Sequence, residues 1–454
     1  MRKHLLQILL LLIVGAFGLV ACTPAAPTTT AVPPTAVPPT AVPPTAVPPT
    51  AVPPTAVPPT EGPPDLTGET ITLYHFGDLS GPLASITGPL IHGAEDAVKA
   101  VNEAGGVYGA QLEIQFADTG GSVDEAVAAY DRFTGADDNI LAMITYGSGD
   151  AEALTARFTE DQIPNLSAGL SAKAFYGEGS GYTFGIGPIY VDQFAHIMRF
   201  LSENWATYKP ADAGDDLKLA YISWPTAFGQ GALSDESRAY LVDLGIELVS
   251  EETLEVSPTA DATTAILNAQ VAGANIIWTN TLAFGPAVIL NDLNSLGLRD
   301  QFVVAADNWA MDLSLYAFLA DPAYGVGLIT AFPYLWWTDT DNPGIQYAQG
   351  VFEANERSAG EHNVGYLLLL GGVDLAVDAI KLAIDTVGFE NLTGQAVYEA
   401  LIALGEHEPL DGVFRVDYSG GTRAPRVAQI RMIQGGPDAF IVLQDWTEMP
   451  DLRP

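Results

Sequence analysis

The sequence predicts an α/β protein with two lobes, each built from a parallel sheet flanked by helices. Three observations lead to this prediction. Strand and helix patterns alternate along the chain, the alternating series occurs twice, and about 390 residues follow a proline-rich tract, which is enough for two hydrophobic cores. Parallel strands need right-handed crossover connections, and the alternating order supplies them.

The first series of elements begins near residue 70. Stretches rich in β-branched, aromatic and other apolar residues predict strands at 71–76 ("ITLYHF"), 111–118 ("QLEIQFAD") and 139–145 ("NILAMIT"). Between the first two strands, Ile86, Leu90 and Ala94 recur at helical spacing. Ser122 and Glu125 form a capping-box pattern, which predicts the start of a second helix.

A second series with the same plan follows residue 188. Its predicted strands are 217–223, 246–252, 275–280, 301–307 and 325–332. A long buried helix is predicted over 365–388, and "VFRVDYSGG" and "RVAQIRMIQGGPDAFIVLQDW" are predicted to form antiparallel strands. We therefore assign 65–188 to a first lobe with a return at 320–410, and 189–319 to a second lobe with a C-terminal return at 411–454. Ligands of open α/β sheets bind at the carboxyl ends of the strands, so the cleft between the lobes is the expected site.

The N-terminus has the features of a secretion signal, predicted over residues 1–21. Arg2 and Lys3 precede an apolar run that is shorter than the roughly 20 residues of a spanning helix. The letters Leu19-Val20-Ala21-Cys22 resemble the lipobox of bacterial lipoproteins. That resemblance implies cleavage before Cys22 and acylation of its thiol, so that the chain is anchored in the bacterial membrane through lipid alone. A plain secretory signal with an incidental cysteine is the alternative.

Residues 22–64 are predicted to be a lipid-anchored linker rich in proline and threonine. The motif Ala-Val-Pro-Pro-Thr repeats from 31 to 60. Proline fixes φ and removes a donor, which favours an extended polyproline II segment of about 3.1 Å per residue. The linker can therefore hold a folded part up to roughly 100 Å from its anchor.

Composition excludes several classes of function. The net charge of −37 repels phosphate backbones, so nucleic acid is not an expected partner. The serine elbow G-x-S-x-G and the zinc motif H-E-x-x-H are both absent from the sequence. We therefore expect no enzyme activity, no cofactor and no metal, and a lipid-anchored hydrolase is the weaker rival interpretation.

The opening of the folded part resembles the type I periplasmic binding proteins, in particular the branch that binds leucine, isoleucine and valine. The resemblance is carried by Ser80-Gly81-Pro82, by Asn102 with Gly105-Gly106-Val107-Tyr108-Gly109, and by Asp118 at a strand end. It covers nearly all of 66–454. It implies a two-lobed Venus-flytrap fold and a monomer that delivers a small solute, an amino acid or an analogue, to the permease subunits of an ABC importer. A surface ligand sensor of the same fold is the alternative.

The resemblance also implies ligand-binding positions. Ser80 lies in the Ser-Gly-Pro loop, and the pairs Ser148-Gly149 and Leu170-Ser171 correspond to groups that hold a ligand carboxylate in this family. Helix N-termini offer unpaired N–H donors to anions, which agrees with that role. Ser148 and Ser171 as ordinary helix N-caps remain the alternative.

Further ligand positions are implied in the second lobe. Phe228 corresponds to an aromatic residue that covers the ligand, and Asn280 lies at a strand end that faces the hinge. Asp307 is the candidate partner of a ligand ammonium, although it stands about one residue out of register, which puts the amino-acid ligand in doubt. Trp309 beside it is expected to enlarge the pocket, with a core tryptophan as the alternative.

Overall fold

A computed structural model describes residues 64–454. The predicted signal sequence, Cys22 and the Ala-Val-Pro-Pro-Thr repeat lie outside the described residues. Within 64–454 the strands are β1 Thr70–Gly77, β2 Gln111–Asp118, β3 Met143–Thr145, β4 Asn165–Ser167, β5 Thr183–Gly185, β6 Leu217–Ser223, β7 Ile246–Thr253, β8 Ile276–Thr279, β9 Val303–Ala306, β10 Leu328–Phe332, β11 Val427–Ile433 and β12 Phe440–Glu448.

The helices of the described part connect these strands and cover the sheets. They are α1 Ala84–Glu103, α2 Val123–Ala136, α3 Ser148–Glu160, α4 Ala172–Tyr176, α5 Tyr190–Tyr208, α6 Ala227–Gln230, α7 Asp235–Asp243, α8 Thr263–Val271, α9 Phe284–Ser295, α10 Leu315–Phe318, α11 Pro343–Ala354, α12 Val364–Val387, α13 Gly394–Ala403 and α14 Pro409–Gly412. Short 3₁₀ turns occur at Arg299–Gln301, Pro322–Gly325, Ala359–Glu361, Phe389–Asn391 and Ser419–Gly421. None of these helices is long and apolar enough to span a bilayer.

The strands form two sheets. The first sheet has the order β2-β1-β3-β4-β5 and is parallel throughout. The second has the order β12-β11-β10-β9-β8-β6-β7, in which β6 to β10 are parallel while β11 and β12 are antiparallel. We call the first sheet with its helices the first lobe and the second sheet with its helices the second lobe. The prediction of a two-lobed α/β fold is confirmed.

The first lobe is completed by a helix from late in the chain. α12 packs along α1, and at their closest approach a Cβ on Gly93 would lie 2.3 Å from the carbonyl oxygen of Tyr366. Only glycine permits this approach. The start of α12 is fixed by Asn363, whose side chain accepts the backbone N–H of Tyr366 at 3.2 Å.

The chain passes between the lobes more than once. It leaves the first lobe after β5, returns to it after β10 and leaves again before β11. Near these crossings, the backbone N–H of Gly185 donates to the carbonyl of Arg423 at 2.7 Å, and the hydroxyl of Tyr418 donates to the carbonyl of Gly185 at 2.8 Å. The end of β5 and the segment that precedes β11 therefore meet where the chain crosses between the lobes.

Three predicted segments differ from the structure. Strand β10 pairs with β9, so the return to the first lobe begins after Phe332 and not at 320. The strand predicted over 139–145 is limited to β3, because its partner β4 follows Pro164, which has no N–H to extend the ladder. "VFRVDYSGG" makes only isolated bridges, from Phe414 to Tyr334 and from Val416 to His407, because its neighbours belong to two different segments.

Candidate functional site

A cavity of about 320 Å³ lies between the two lobes. It is lined by residues that directly follow strands of both sheets. Asp78 follows β1, Tyr146 follows β3, Trp224 follows β6 and Trp309 comes shortly after β9. The cavity therefore occupies the carboxyl ends of two facing parallel sheets, where open α/β sheets bind ligands.

The first-lobe wall is built around the N-terminus of α3. Ser148 and Gly149 line the cavity at the first turn of this helix, and the N-cap residue, Gly147, has no side chain that could accept a hydrogen bond from the backbone of this turn. The loop after β4 lies directly against this turn, since a Cβ on Gly169 would stand 2.6 Å from the backbone nitrogen of Ser148. The loops that follow β3 and β4 therefore hold the first turn of α3 at the wall of the cavity.

The hydroxyl of Tyr190 connects those two loops at the base of the cavity. It accepts the backbone N–H of Leu170 at 3.1 Å and lies 3.3 Å from Ser148 Oγ. Tyr190 is the first residue of α5, which begins just after the chain leaves the first lobe. This position ties the cavity wall to a crossing between the lobes.

The second-lobe wall is mainly aromatic. Phe228 packs against Tyr190 with ring centroids 5.0 Å apart and against Trp224 at 5.9 Å, while Trp309 meets Tyr146 edge-on at 6.0 Å. Asn280 holds the Phe228 loop by donating its Nδ2–H to the Phe228 carbonyl at 2.7 Å. These rings form an apolar surface whose position is set by hydrogen bonds behind it.

Two carboxylates lie in the first-lobe wall. Asp78 accepts the backbone N–H groups of Gly81 at 2.5 Å and Leu83 at 3.0 Å. Burial raises the pKa of Asp150 to about 6. The neighbouring charge of Asp78 also raises this pKa, whereas the hydrogen bond from the Gly147 N–H lowers it. Among the described residues, no cluster of His, Cys, Asp and Glu is arranged to hold a metal ion.

A family model described as periplasmic binding protein matches residues 70–436. The chain belongs to the periplasmic binding protein family. Membership in this family implies an extracytoplasmic location.

Relatives of this periplasmic binding protein include a Leu/Ile/Val-binding protein homolog from Brucella suis, which is 25% identical over 225 residues. That alignment covers 50% of this chain and 57% of the relative, so it spans little more than half of the Brucella protein. The resemblance to the Leu/Ile/Val-binding branch is therefore confirmed at the level of family.

Solved structures share the fold of this periplasmic binding protein. A branched-chain amino acid ABC transporter protein from Thermus thermophilus, solved with bound valine, has a TM-score of 0.73 at 19% identity, with coverage of 85% of this chain and 97% of that one. A fatty acid ABC transporter substrate-binding protein from Thermomonospora curvata has a TM-score of 0.71 at 19% identity, with coverage of 87% and 96%. The two ligands differ in chemistry, so the shared fold does not specify the solute.

Some of the predicted ligand residues line the cavity of this binding protein and others do not. Those that line it are Ser148, Gly149, Phe228 and Trp309. Leu170 is buried behind the wall with its N–H donated to Tyr190, and Asn280 supports the Phe228 loop from behind.

Two predicted serines point elsewhere. Ser171 donates its hydroxyl to Glu152 at 2.7 Å and lines a different surface cleft that includes Lys173. Ser80 is exposed, and a hydrogen bond from its hydroxyl lowers the pKa of Asp118 to about 2. Both side chains stabilise loops near the cavity and do not face into it.

Asp307 is not placed to meet a ligand ammonium. It is fully buried outside the cavity lining, its Oδ1 accepts the Trp309 backbone N–H at 2.7 Å, and the backbone N–H of Thr281 also faces its carboxyl group. Burial raises the pKa of Asp307 well above its ordinary value. Its role in the structure is to shape the turn that carries Trp309 into the wall.

Asp78, Asp150 and Tyr190 line the cavity but are not among the residues predicted from the sequence. The first two carry a signal that could have been read, because each acidic residue stands in the loop that directly follows a predicted strand of a parallel sheet. Tyr190 carries no such signal, since it is placed at the cavity by the crossing between the lobes.

Proposed function

We propose that this protein is the extracytoplasmic solute-binding lipoprotein of an ABC importer, and that as a monomer it captures an amino acid or related small polar solute between its lobes. The observation that carries this proposal is the cavity itself, whose walls come from both lobes at the carboxyl ends of both sheets. A solute that touches both walls stabilises the closed arrangement by the free energy of its contacts to each side.

The membrane anchor is part of the proposal. Cys22 follows Leu19-Val20-Ala21 in a lipobox pattern, and the proline-rich linker separates it from the folded part. Replacing Cys22 by serine is expected to move the protein from the membrane fraction to the soluble or secreted fraction, because two or three acyl chains supply the anchoring free energy. An unchanged membrane fraction in the Cys22→Ser variant contradicts lipid anchoring at this residue.

Solute capture is tested by titrating the folded part, residues 64–454, with amino acids, amides and small carboxylates. Trp224 and Trp309 line the cavity, so binding is expected to change the intrinsic tryptophan fluorescence in a saturable way without turnover of the solute. Turnover without a saturable signal would favour the hydrolase instead. Absence of both signals across the panel contradicts the proposal.

Two serine variants locate the bound solute. Ser148→Ala is expected to weaken binding by about 1–3 kcal/mol, because a polar group of the solute then lies buried without its partner. Ser171→Ala is the matched control, since this serine also starts a helix after a strand but donates to Glu152 outside the cavity. Equal losses of affinity in the two variants would remove Ser148 from the site.

A further inference from the structure

The charges in the cavity wall are all of one sign. Asp78 and Asp150 line the cavity with relative exposures of 1% and 7%, and no Lys, Arg or His is found among its described lining residues. No ion pair within residues 64–454 involves either carboxylate. Burying two like charges near each other without a counter-charge costs free energy, so a structural or functional reason is needed.

Capping of the backbone explains the positions of these residues, but it supplies no full positive charge to balance them. Asp150 reaches back to the Gly147 N–H at the start of α3. At the starts of α11 and α12, the side-chain oxygens of Asn342 and Asn363 accept backbone N–H groups at N···O distances of 3.1 and 3.2 Å. A neutral amide suffices for capping at those helices, and the helix offsets the full negative charge of Asp150 only in part, so a cationic partner would complete it.

The helix N-terminus does not favour an anion in this cavity. Asp150 already occupies the first turn of α3, where its charge offsets the partial positive charge of the unpaired N–H groups. A ligand carboxylate placed at Ser148 would lie next to that charge and to Asp78, which costs free energy.

The rest of the wall suits an organic cation. Tyr146, Tyr190, Trp224, Phe228 and Trp309 present rings to the cavity. Aromatic faces attract ammonium groups and also bury the alkyl groups attached to them. The net charge of −37 adds a long-range field that draws cations towards the protein.

We propose that the solute is a small organic cation, whose ammonium group lies beside Asp150 and Asp78 and against the aromatic rings of the second lobe. This inference rests on the proposed function of solute capture and narrows it to one class of solute. Phenolic and carboxylate solutes without an ammonium group are excluded by the same arrangement.

The test compares probes that differ in charge and share a shape. Choline is paired with 3,3-dimethylbutan-1-ol, and benzylamine with benzyl alcohol, each titrated into the mature chain at pH 7.5. The charged member of at least one pair is expected to bind at least about tenfold more tightly than its neutral counterpart, which corresponds to ~1.4 kcal/mol.

The Asp150→Asn variant is expected to remove most of this preference for the charged probe. Asp124→Asn, an exposed first-turn residue of α2 near the rim, is expected to leave it within about twofold, because exposed charges are screened.

A second measurement does not depend on any variant. The groups that face Asp150 are the Asp78 carboxylate, the Tyr146 side chain and the Gly147 N–H, with no basic group among them. Protonation of Asp150 therefore removes negative charge from the wall, and the affinity for the charged probe is expected to fall between pH 7.5 and pH 5. The affinity for the neutral probe is expected to stay constant.

The outcomes separate this inference from the proposed function. Equal affinities within both pairs, or binding of carboxylates but of neither charged probe, overturn the cationic solute while solute capture stands. If neither the probe pairs nor the amino acids, amides and carboxylates bind, both proposals fail. A preference for the charged probe that survives Asp150→Asn in a folded variant overturns the assignment to this carboxylate.

Discussion

Replacing Asp339 by alanine is expected to lower the free energy of unfolding by about 3–5 kcal/mol. The reason is the Arg431 guanidinium, which lies in the second sheet with its side chain only 1% exposed. Asp339 accepts its Nη2–H at 2.6 Å and is its carboxylate partner among the described residues. The remaining contacts, Gln429 at 2.7 and 2.9 Å and the face of Phe332 at 4.9 Å, carry no full negative charge.

The cost comes from a buried charge that loses its counter-charge, and a double variant tests this cause. Asp339→Ala combined with Arg431→Met is expected to be less destabilised than Asp339→Ala alone, because no charge is then left unpaired in the core. Asp341→Ala, an exposed neighbour, is expected to change stability by less than about 0.5 kcal/mol. Urea unfolding followed by circular dichroism measures all three. A double variant less stable than the single one would show that the loss has another cause.

The Asp150→Asn variant is expected to gain stability relative to the wild type as the pH rises. Burial raises the pKa of the Asp150 carboxyl to about 6, while an unfolded aspartate titrates near 3.9. The folded state therefore binds more protons than the unfolded state between these values, and the contribution of Asp150 to stability falls as the pH rises from 4 to 7. A difference of about two between the folded and unfolded pKa values corresponds to ~3 kcal/mol of stability.

The quantity to measure is the difference in free energy of unfolding between Asp150→Asn and the wild type, because other buried groups titrate in the same pH range. Burial lowers the pKa of His75 and of His196 to about 4, and their contributions to stability rise with pH. The stability gap between Asp150→Asn and the wild type is expected to be about 2 kcal/mol larger at pH 7.5 than at pH 4, because an unfolded aspartate is already about half ionised at pH 4. Asp124→Asn serves as the exposed control. Parallel stability curves from pH 4 to 7.5 would mean that Asp150 is not held above its ordinary pKa.

Periodicity was sufficient to predict most of the fold from the sequence. The strand predicted over 217–223 coincides with β6, and the helix predicted over 365–388 differs from α12 by one residue at each end. These segments are buried along most of their length, so their apolar and β-branched residues were enough to predict a strand and a helix. The alternating pattern of "VFRVDYSGG" was misleading, because strand formation also requires a continuous partner, and none of the described segments provides one.

The site was less predictable than the fold. Position in the chain places Ser148, Phe228 and Trp309 in strand-end loops, and strand-end loops meet at the cavity. The direction of a side chain depends on tertiary contacts, as Ser171 shows by reaching Glu152 instead of the cavity. Which carboxylate faces the cavity, Asp150 or Asp307, depends likewise on packing that no local pattern records.

The order of the strands in the sheets has a consequence for biogenesis. The side of α1 that packs against α12 stays uncovered until α12 has been synthesised, and the second sheet lacks its antiparallel edge until β11 and β12 have followed. Neither half of the molecule can reach its final packing on the ribosome while the later segments are still missing. Folding of either lobe is therefore completed only by segments that lie late in the chain, namely α12 for the first lobe and β11 and β12 for the second.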